Sequence, residues 1–192
     1  MTLDRRSMGR LIAAAAAWPL LPRRASAQSP AVSRTTAYAF SFKALDGADL
    51  RLALYAGKPI LIVNTASLCG YTGQLSGLEA LWSRYRERGL LLIGVPSNDF
   101  GGQEPGGAAE IRQTAATHGV SFPLMAKVFV KGEAAHPFYR WAALQRPLET
   151  PRWNFHKYLV GRDGLITAAF ASAVDPLDPR VIAALEQTLT GT

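Results

Sequence analysis

Two unbroken apolar runs, Ile60-Leu61-Ile62-Val63 and Leu90 to Val95, bracket a segment with helical periodicity, and nothing else in the chain constrains its fold as much. Short apolar runs bounded by turn residues read as strands buried on both faces. Lys58-Pro59 opens the first run and Gly89 precedes the second. Between them Leu78, Leu81, Trp82 and Tyr85 stand at i, i+3, i+4 and i+7, the spacing of an amphipathic helix. A strand buried on both faces needs a layer on each side, so the segment predicts an α/β sheet with helices on both faces.

The flanking segments extend this plan. Tyr38, Phe40 and Phe42 alternate with small or polar residues, Asp46-Gly47 marks a turn, and Leu50, Leu52 and Leu54 alternate again, which predicts an N-terminal hairpin. Glu110 to His118 reads as a short helix, and Phe122 to Val130, opened by Pro123, as a third strand. A helix runs from Pro137 to Leu144. Tyr158-Leu159-Val160 and Leu165-Ile166 form a second hairpin about Gly161-Arg162-Asp163-Gly164. Asp178-Pro179 reads as a cap followed by proline at the first helical position, and Val181, Ile182, Leu185 and Leu189 line one face of the last helix. There is no internal repeat and no second domain.

The first 27 residues read as an address rather than structure. Arg5-Arg6 and Arg10 form a basic opening, Leu11 to Leu21 is an apolar run too short to span a bilayer comfortably, and Ala25-Ser26-Ala27 offers a cleavable bond. The arginine pair and the mild, alanine-rich run resemble a twin-arginine signal, which predicts export to the periplasm, with a retained anchor as the alternative. Residues 28–37 read as a flexible tail and 38–192 as the folded domain. The formal net charge of the chain is +7, but five of its arginines lie in this opening, against Asp4; without it the charge is +3. No basic stripe with interleaved aromatics remains, which excludes a nucleic-acid partner. Once the address is removed, no stable membrane insertion is expected.

The chain has one cysteine, Cys69, so no internal disulfide can form. It lies between a buried strand and a helix, where α/β proteins place ligands and chemistry. Unpaired N–H groups at a helix start favour thiolate, the nucleophilic form. A small buried hydrophobe is the competing reading. Gly70 and Thr72 follow, so the Cys-x-x-Cys pair of a dithiol oxidoreductase is absent.

Longer words in the sequence carry more information. Val63-Asn64-Thr65-Ala66-Ser67-Leu68-Cys69-Gly70-Tyr71-Thr72 resembles the active-site segment of glutathione peroxidases. Asn98-Asp99-Phe100-Gly101-Gly102-Gln103-Glu104-Pro105-Gly106 resembles the second signature of that family, and Trp153-Asn154-Phe155-His156-Lys157-Tyr158-Leu159-Val160 the third. The resemblance extends from about Tyr38 to Leu189 and implies a thioredoxin-like fold: a central mixed sheet flanked by helices, after an N-terminal β-hairpin. It also implies a catalytic set of Cys69, Gln103, Trp153 and Asn154. Two amides and an indole N–H are neutral donors that can stabilise a negative sulfur without pairing it in a salt bridge. Gly101 and Gly102 would let their loop approach closely.

The implied reaction is thiol-dependent reduction of hydrogen peroxide or an organic hydroperoxide through a Cys69 sulfenic acid, with no bound cofactor. An external thiol, glutathione or a protein thiol, regenerates it. The alternative is a peroxide sensor or thiol relay that passes the oxidation of Cys69 to a partner protein. A non-catalytic binding module is a third reading. Many relatives carry a resolving cysteine near Thr114 and Ala115 and another at Ser97; here neither is a thiol, which points to a small thiol or redox protein acting directly. Asp99 stands where glutamine is usual. The short link from Leu144 to Trp153 predicts a monomer. His118, His136 and His156 show no metal-ligand spacing and are expected on the surface or in loops.

Overall fold

The structure, a computed structural model, describes residues 35–191. The predicted signal peptide at 1–27 and most of the tail at 28–37 lie outside the described residues. A hairpin of β1 (Ser41–Lys43) and β2 (Asp49–Arg51) precedes a four-stranded sheet made of β3 (Ile60–Thr65), β4 (Leu91–Pro96), β5 (Lys157–Val160) and β6 (Ile166–Phe170). The helices are α1 (Gln74–Tyr85), α2 (Ala108–Thr117), α3 (Pro137–Gln145) and α4 (Pro179–Thr190). Strand order is β4-β3-β5-β6, with β3 parallel to β4 and β5 antiparallel to both β3 and β6, so the sheet is mixed.

The apolar runs account for the two layers. Side chains alternate across a strand, so Ile60 and Ile62 face one side of β3 and Leu61 and Val63 the other. Leu61 and Val63 pack with Leu75, Leu78, Leu81 and Tyr85 of α1 and with Val181 and Leu185 of α4. On the opposite face Ile60, Ile62 and Ile93 meet Phe138 and Trp141 of α3 and Phe42 of the hairpin. Each wholly buried leucine or isoleucine contributes about 2 kcal/mol. The predicted cap of α4 is present: Asp178 Oδ1 accepts from Arg180 N–H at 2.9 Å, with Pro179 opening the helix. Among the described residues no helix is long and apolar enough to cross a membrane.

Two predicted elements differ. Phe122 to Val130 is not a third strand; it forms single bridges at Leu124 to Gly94 and at Met125 to Ala44. Its hydrogen bonds are divided: Pro123 O and Met125 N–H bond Gly94, whereas Ala126 N–H goes to Lys43 O and Leu124 O accepts from Leu45. The segment therefore stitches the hairpin to the sheet edge instead of laddering with either. Gly94 permits the approach, because a Cβ there would lie 2.6 Å from Leu124 Cδ2. The first hairpin is also shorter than its alternation suggests, because Ala37–Ala39 and Leu52–Tyr55 are 3-10 turns.

Candidate active site

Three loops meet at the carboxyl end of β3 and beside β5. Past Thr65 the chain turns through Cys69 before α1 begins at Gln74. Thr72 staples this turn: its hydroxyl accepts from Cys69 N–H at 3.0 Å and lies 2.9 Å from Ala66 O and 2.7 Å from Cys69 O. Cys69 is 8% exposed and borders the α1/α4 core through Ala66 and Leu75, while Leu68, Gly70 and Tyr71 beside it face solvent. The sulfur accepts from Tyr71 N–H at 3.4 Å, so a main-chain donor of the kind expected near a helix start does reach it.

The loop after β4 brings Gln103 to this turn. Leu68 N–H donates to Gln103 O at 3.0 Å. Gly101 has φ of 66°, in the left-handed region that glycine tolerates, and a Cβ there would lie 3.4 Å from the Trp153 ring and 3.5 Å from Gln103 Cγ. The glycine thus seats the Trp153 ring beside the Gln103 side chain. Phe100 adds a ring contact to Trp153 at 6.0 Å between centroids.

The third loop is held by Asn64 of β3. Asn64 O accepts from Phe155 N–H at 2.6 Å, and Asn64 Nδ2 donates to Trp153 O at 3.1 Å. Phe155 has φ of 65°, the one positive value at a non-glycine among the described residues, and its ring is buried in the α1/α4 core. Left-handed backbone is costly for a side-chain-bearing residue, and here it falls in a loop of the candidate site. Asn154 is wholly buried and Trp153 is 39% exposed.

The four sequence-predicted residues are therefore collected into one region, but not as three donors on one sulfur. Among the described residues none of Gln103, Trp153 and Asn154 hydrogen-bonds Sγ. Asn154 Nδ2 instead donates to Gln103 Oε1 at 2.9 Å and approaches Phe100 O at 3.5 Å. The Phe100 carbonyl sets the orientation of the Asn154 amide, since an oxygen there would face another acceptor. That in turn makes Gln103 Oε1 the acceptor and leaves both of its N–H bonds free to donate. Catalytic hydrogen bonds often tighten only once substrate is bound.

The contacts of other residues were hidden from sequence reading. Asp99 Oδ2 accepts from Val130 N–H at 2.6 Å and Lys131 N–H at 3.2 Å, which anchors the Gln103 loop. Glu104 is 1% exposed, and burial pushes its carboxyl above the usual range. His156 lies in the loop before β5, as expected, but is buried there: it is 5% exposed, its ring lies edge-on to Tyr158, and burial with Lys157 nearby depresses its pKa to about 4. His136 is half-buried, stacks on Phe42 at 4.2 Å and caps α3 through Nδ1. Among the described residues no three His, Cys, Asp or Glu side chains converge.

A glutathione peroxidase family profile matches residues 37–143 of the chain. Hydroperoxy fatty acid reductase gpx1 of Synechocystis is 43% identical over 156 residues, covering 76% of this chain and 92% of that protein. A crystal structure of Trgpx in apo form superposes with a TM-score of 0.64 at 33% identity, over 81% of this chain and 99% of that one. A thioredoxin-family thiol:disulfide interchange protein of Chlorobium tepidum, at 16% identity and a TM-score of 0.53, covers 81% of this chain and 96% of its own, and shares the fold.

Proposed function

The chain belongs to the glutathione peroxidase family, and from that premise we propose that its thiol-dependent reduction of peroxides runs through Cys69, with Gln103, Trp153 and Asn154 as the supporting set. Cys69 thiolate attacks the terminal oxygen of the hydroperoxide. The O–O bond breaks, water or an alcohol leaves with one added proton, and Cys69 is oxidised to sulfenic acid. A first thiol condenses with the sulfenic acid, releasing water and leaving a mixed disulfide. A second thiol attacks that disulfide, which frees Cys69 and yields an external disulfide.

The observation that carries this reading is the bonding of Gln103 to both partners: its carbonyl holds Leu68, next to the sulfur, and its side-chain oxygen is taken by Asn154. The free Gln103 N–H groups and the indole N–H of Trp153 are then the donors available to a developing negative charge on sulfur or on the departing oxygen. Asn154 works by fixing Gln103. Because the chain has no second thiol, regeneration falls to a small thiol or a redox protein acting directly on Cys69. The basic, alanine-rich opening supports export to the periplasm, and the short link between α3 and Trp153 supports a monomer.

The test is peroxide consumption by the purified chain with glutathione, with thioredoxin and with no thiol. Turnover should require a thiol and vanish in Cys69→Ser. Equal rates in all three conditions, or turnover by the serine variant, would contradict the cycle.

A further inference from the structure

Glu104 is a buried acid that the cycle above does not use. Its main chain is pinned on the sheet side: Glu104 N–H donates to Asn98 Oδ1 at 2.8 Å, and Lys127 Nζ donates to the carbonyls of Glu104 and Gly106 at 2.9 and 2.8 Å. Its side chain crosses to the other loop, where Oε2 accepts from Ser67 Oγ–H at 3.1 Å. Beside it, Gln103 O takes Leu68 N–H. Residues 103–104 thus hold residues 67–68 by one main-chain and one side-chain bond, and Cys69 is the next residue.

The remaining oxygen, Oε1, is enclosed and has no partner among the described residues. A cavity of about 10 Å³ next to it, also bordered by Ser67 and Thr114, has room for at most a single water. Among the described residues no cation pairs with the carboxyl. The Lys127 ammonium is taken up by main-chain carbonyls. Glu110 of α2 is turned to Gly107 N–H at 2.9 Å. The other α2 residues on that cavity are Ile111, Thr114 and Ala115, and α1 offers Leu75. A carboxylate with one bare, buried oxygen costs more to enclose than the neutral acid, which keeps its Ser67 bond and can turn its O–H toward the one-water cavity.

We propose that Glu104 is a positioning residue for the peroxide step: as an uncharged acid it clamps Ser67, and with it the Cys69 turn, against the loop that carries Gln103. Its neutrality matters as much as its reach. Burial raises the Glu104 pKa, with the Ser67 hydroxyl, the Ser67 main-chain N–H and then Lys127 acting in the opposite direction. Because the folded value lies above the unfolded one, the contribution of the neutral acid to stability is complete below the unfolded pKa. It is lost as pH rises through the folded value.

The inference rests on Cys69 as the peroxidatic sulfur, and its test separates the two. In the full chain, the rate of Cys69 oxidation by hydrogen peroxide is measured in single turnover for wild type, Glu104→Gln and Glu104→Ala, together with Tm between about pH 5 and pH 8. Glutamine keeps the shape and removes the charge, so it should recover most of the wild-type rate and melt above wild type by a margin that widens as pH rises. Alanine should slow oxidation by roughly tenfold or more, the scale of a displaced reacting group. Alanine at the wild-type rate, or glutamine as slow as alanine, overturns the clamp. If alanine does not fold, the glutamine rate and its Tm margin decide. If wild-type Cys69 is not oxidised at all, the cycle fails, and the Tm margin of Glu104→Gln still decides whether the acid is held neutral.

Discussion

Lys157 and Glu104 are both ionisable and both buried, yet the fold treats them in opposite ways. Lys157 is wholly enclosed and spends its three ammonium hydrogens on three acceptors, Gln74 Oε1, Phe155 O and Val174 O, each at 2.7 Å. It ties the first residue of α1, the third signature segment and the chain before α4 into one knot. Glu104 has one partner for two oxygens. The difference teaches where this molecule accepts unsatisfied polar groups. Among the described residues, three of the five buried side-chain atoms without partners belong to Asn64, Glu104 and Asn154, all on segments that build the candidate site. Lys157 is saturated as a structural staple is, whereas the incomplete bonding gathers on the loops that build the candidate site.

That contrast can be broken by experiment. The largest effect is expected at the site. Gln103→Ala should lower kcat/KM by about 10²–10³-fold, as loss of a preorganised donor does, and destabilise by only about 1–2 kcal/mol, because it leaves the buried Asn154 amide without its acceptor. A steady-state peroxidase assay beside a thermal melt checks both, and a large stability loss with intact turnover would reverse the assignment. Lys157→Met should do the opposite. It strands three acceptors and destabilises by about 3 kcal/mol in urea denaturation, while the folded fraction keeps its rate per molecule. A shift below about 1 kcal/mol would mean that the knot is not a staple.

His156 sharpens the comparison through pH. Its folded pKa is depressed from 6.5 to about 4, so the unfolded chain binds the proton more tightly. The stability it contributes is fully present above the unfolded value and lost as pH falls through the folded one. The loss amounts to about 3 kcal/mol across that window, and His156→Leu should remove the slope. Urea midpoints at neutral and acidic pH read it directly. Lys157 has the complementary sign: with its pKa lowered to about 8, stability should rise as pH climbs from there toward the unfolded value. The smallest effect is expected at Glu186, whose bonds to Arg88 at 2.8 and 2.6 Å lie on the surface; Glu186→Gln should barely move Tm, and less still at high salt.

Much of the fold was legible in the residues because burial is encoded along single elements. The apolar runs became β3 and β4, the i, i+3, i+4, i+7 set became the buried face of α1, and Asp178-Pro179 became the cap of α4. Periodicity failed at Phe122 to Val130, whose spacing cannot say that its bonds divide between two neighbours. Nor could spacing along the chain say that the loop residue His156 is buried, because that depends on Tyr158 and on neighbouring loops. The candidate site was legible as a set of residue types, through the three family-like words, but the bonds between those residues were not.

The sequence alone determined most of the segments that become strands and helices, that a single thiol is available, and which residue types stand in the three family-like words. Tertiary structure decided how they connect: that Asn154 holds Gln103 rather than the sulfur, that Asp99 anchors a loop 31 residues away, and that Asn64 grips Trp153 across 89 residues. The physical reason is range. Side-chain periodicity is set within one element, whereas a buried amide or carboxyl takes its protonation and direction from whichever distant carbonyls and N–H groups the folded chain brings beside it.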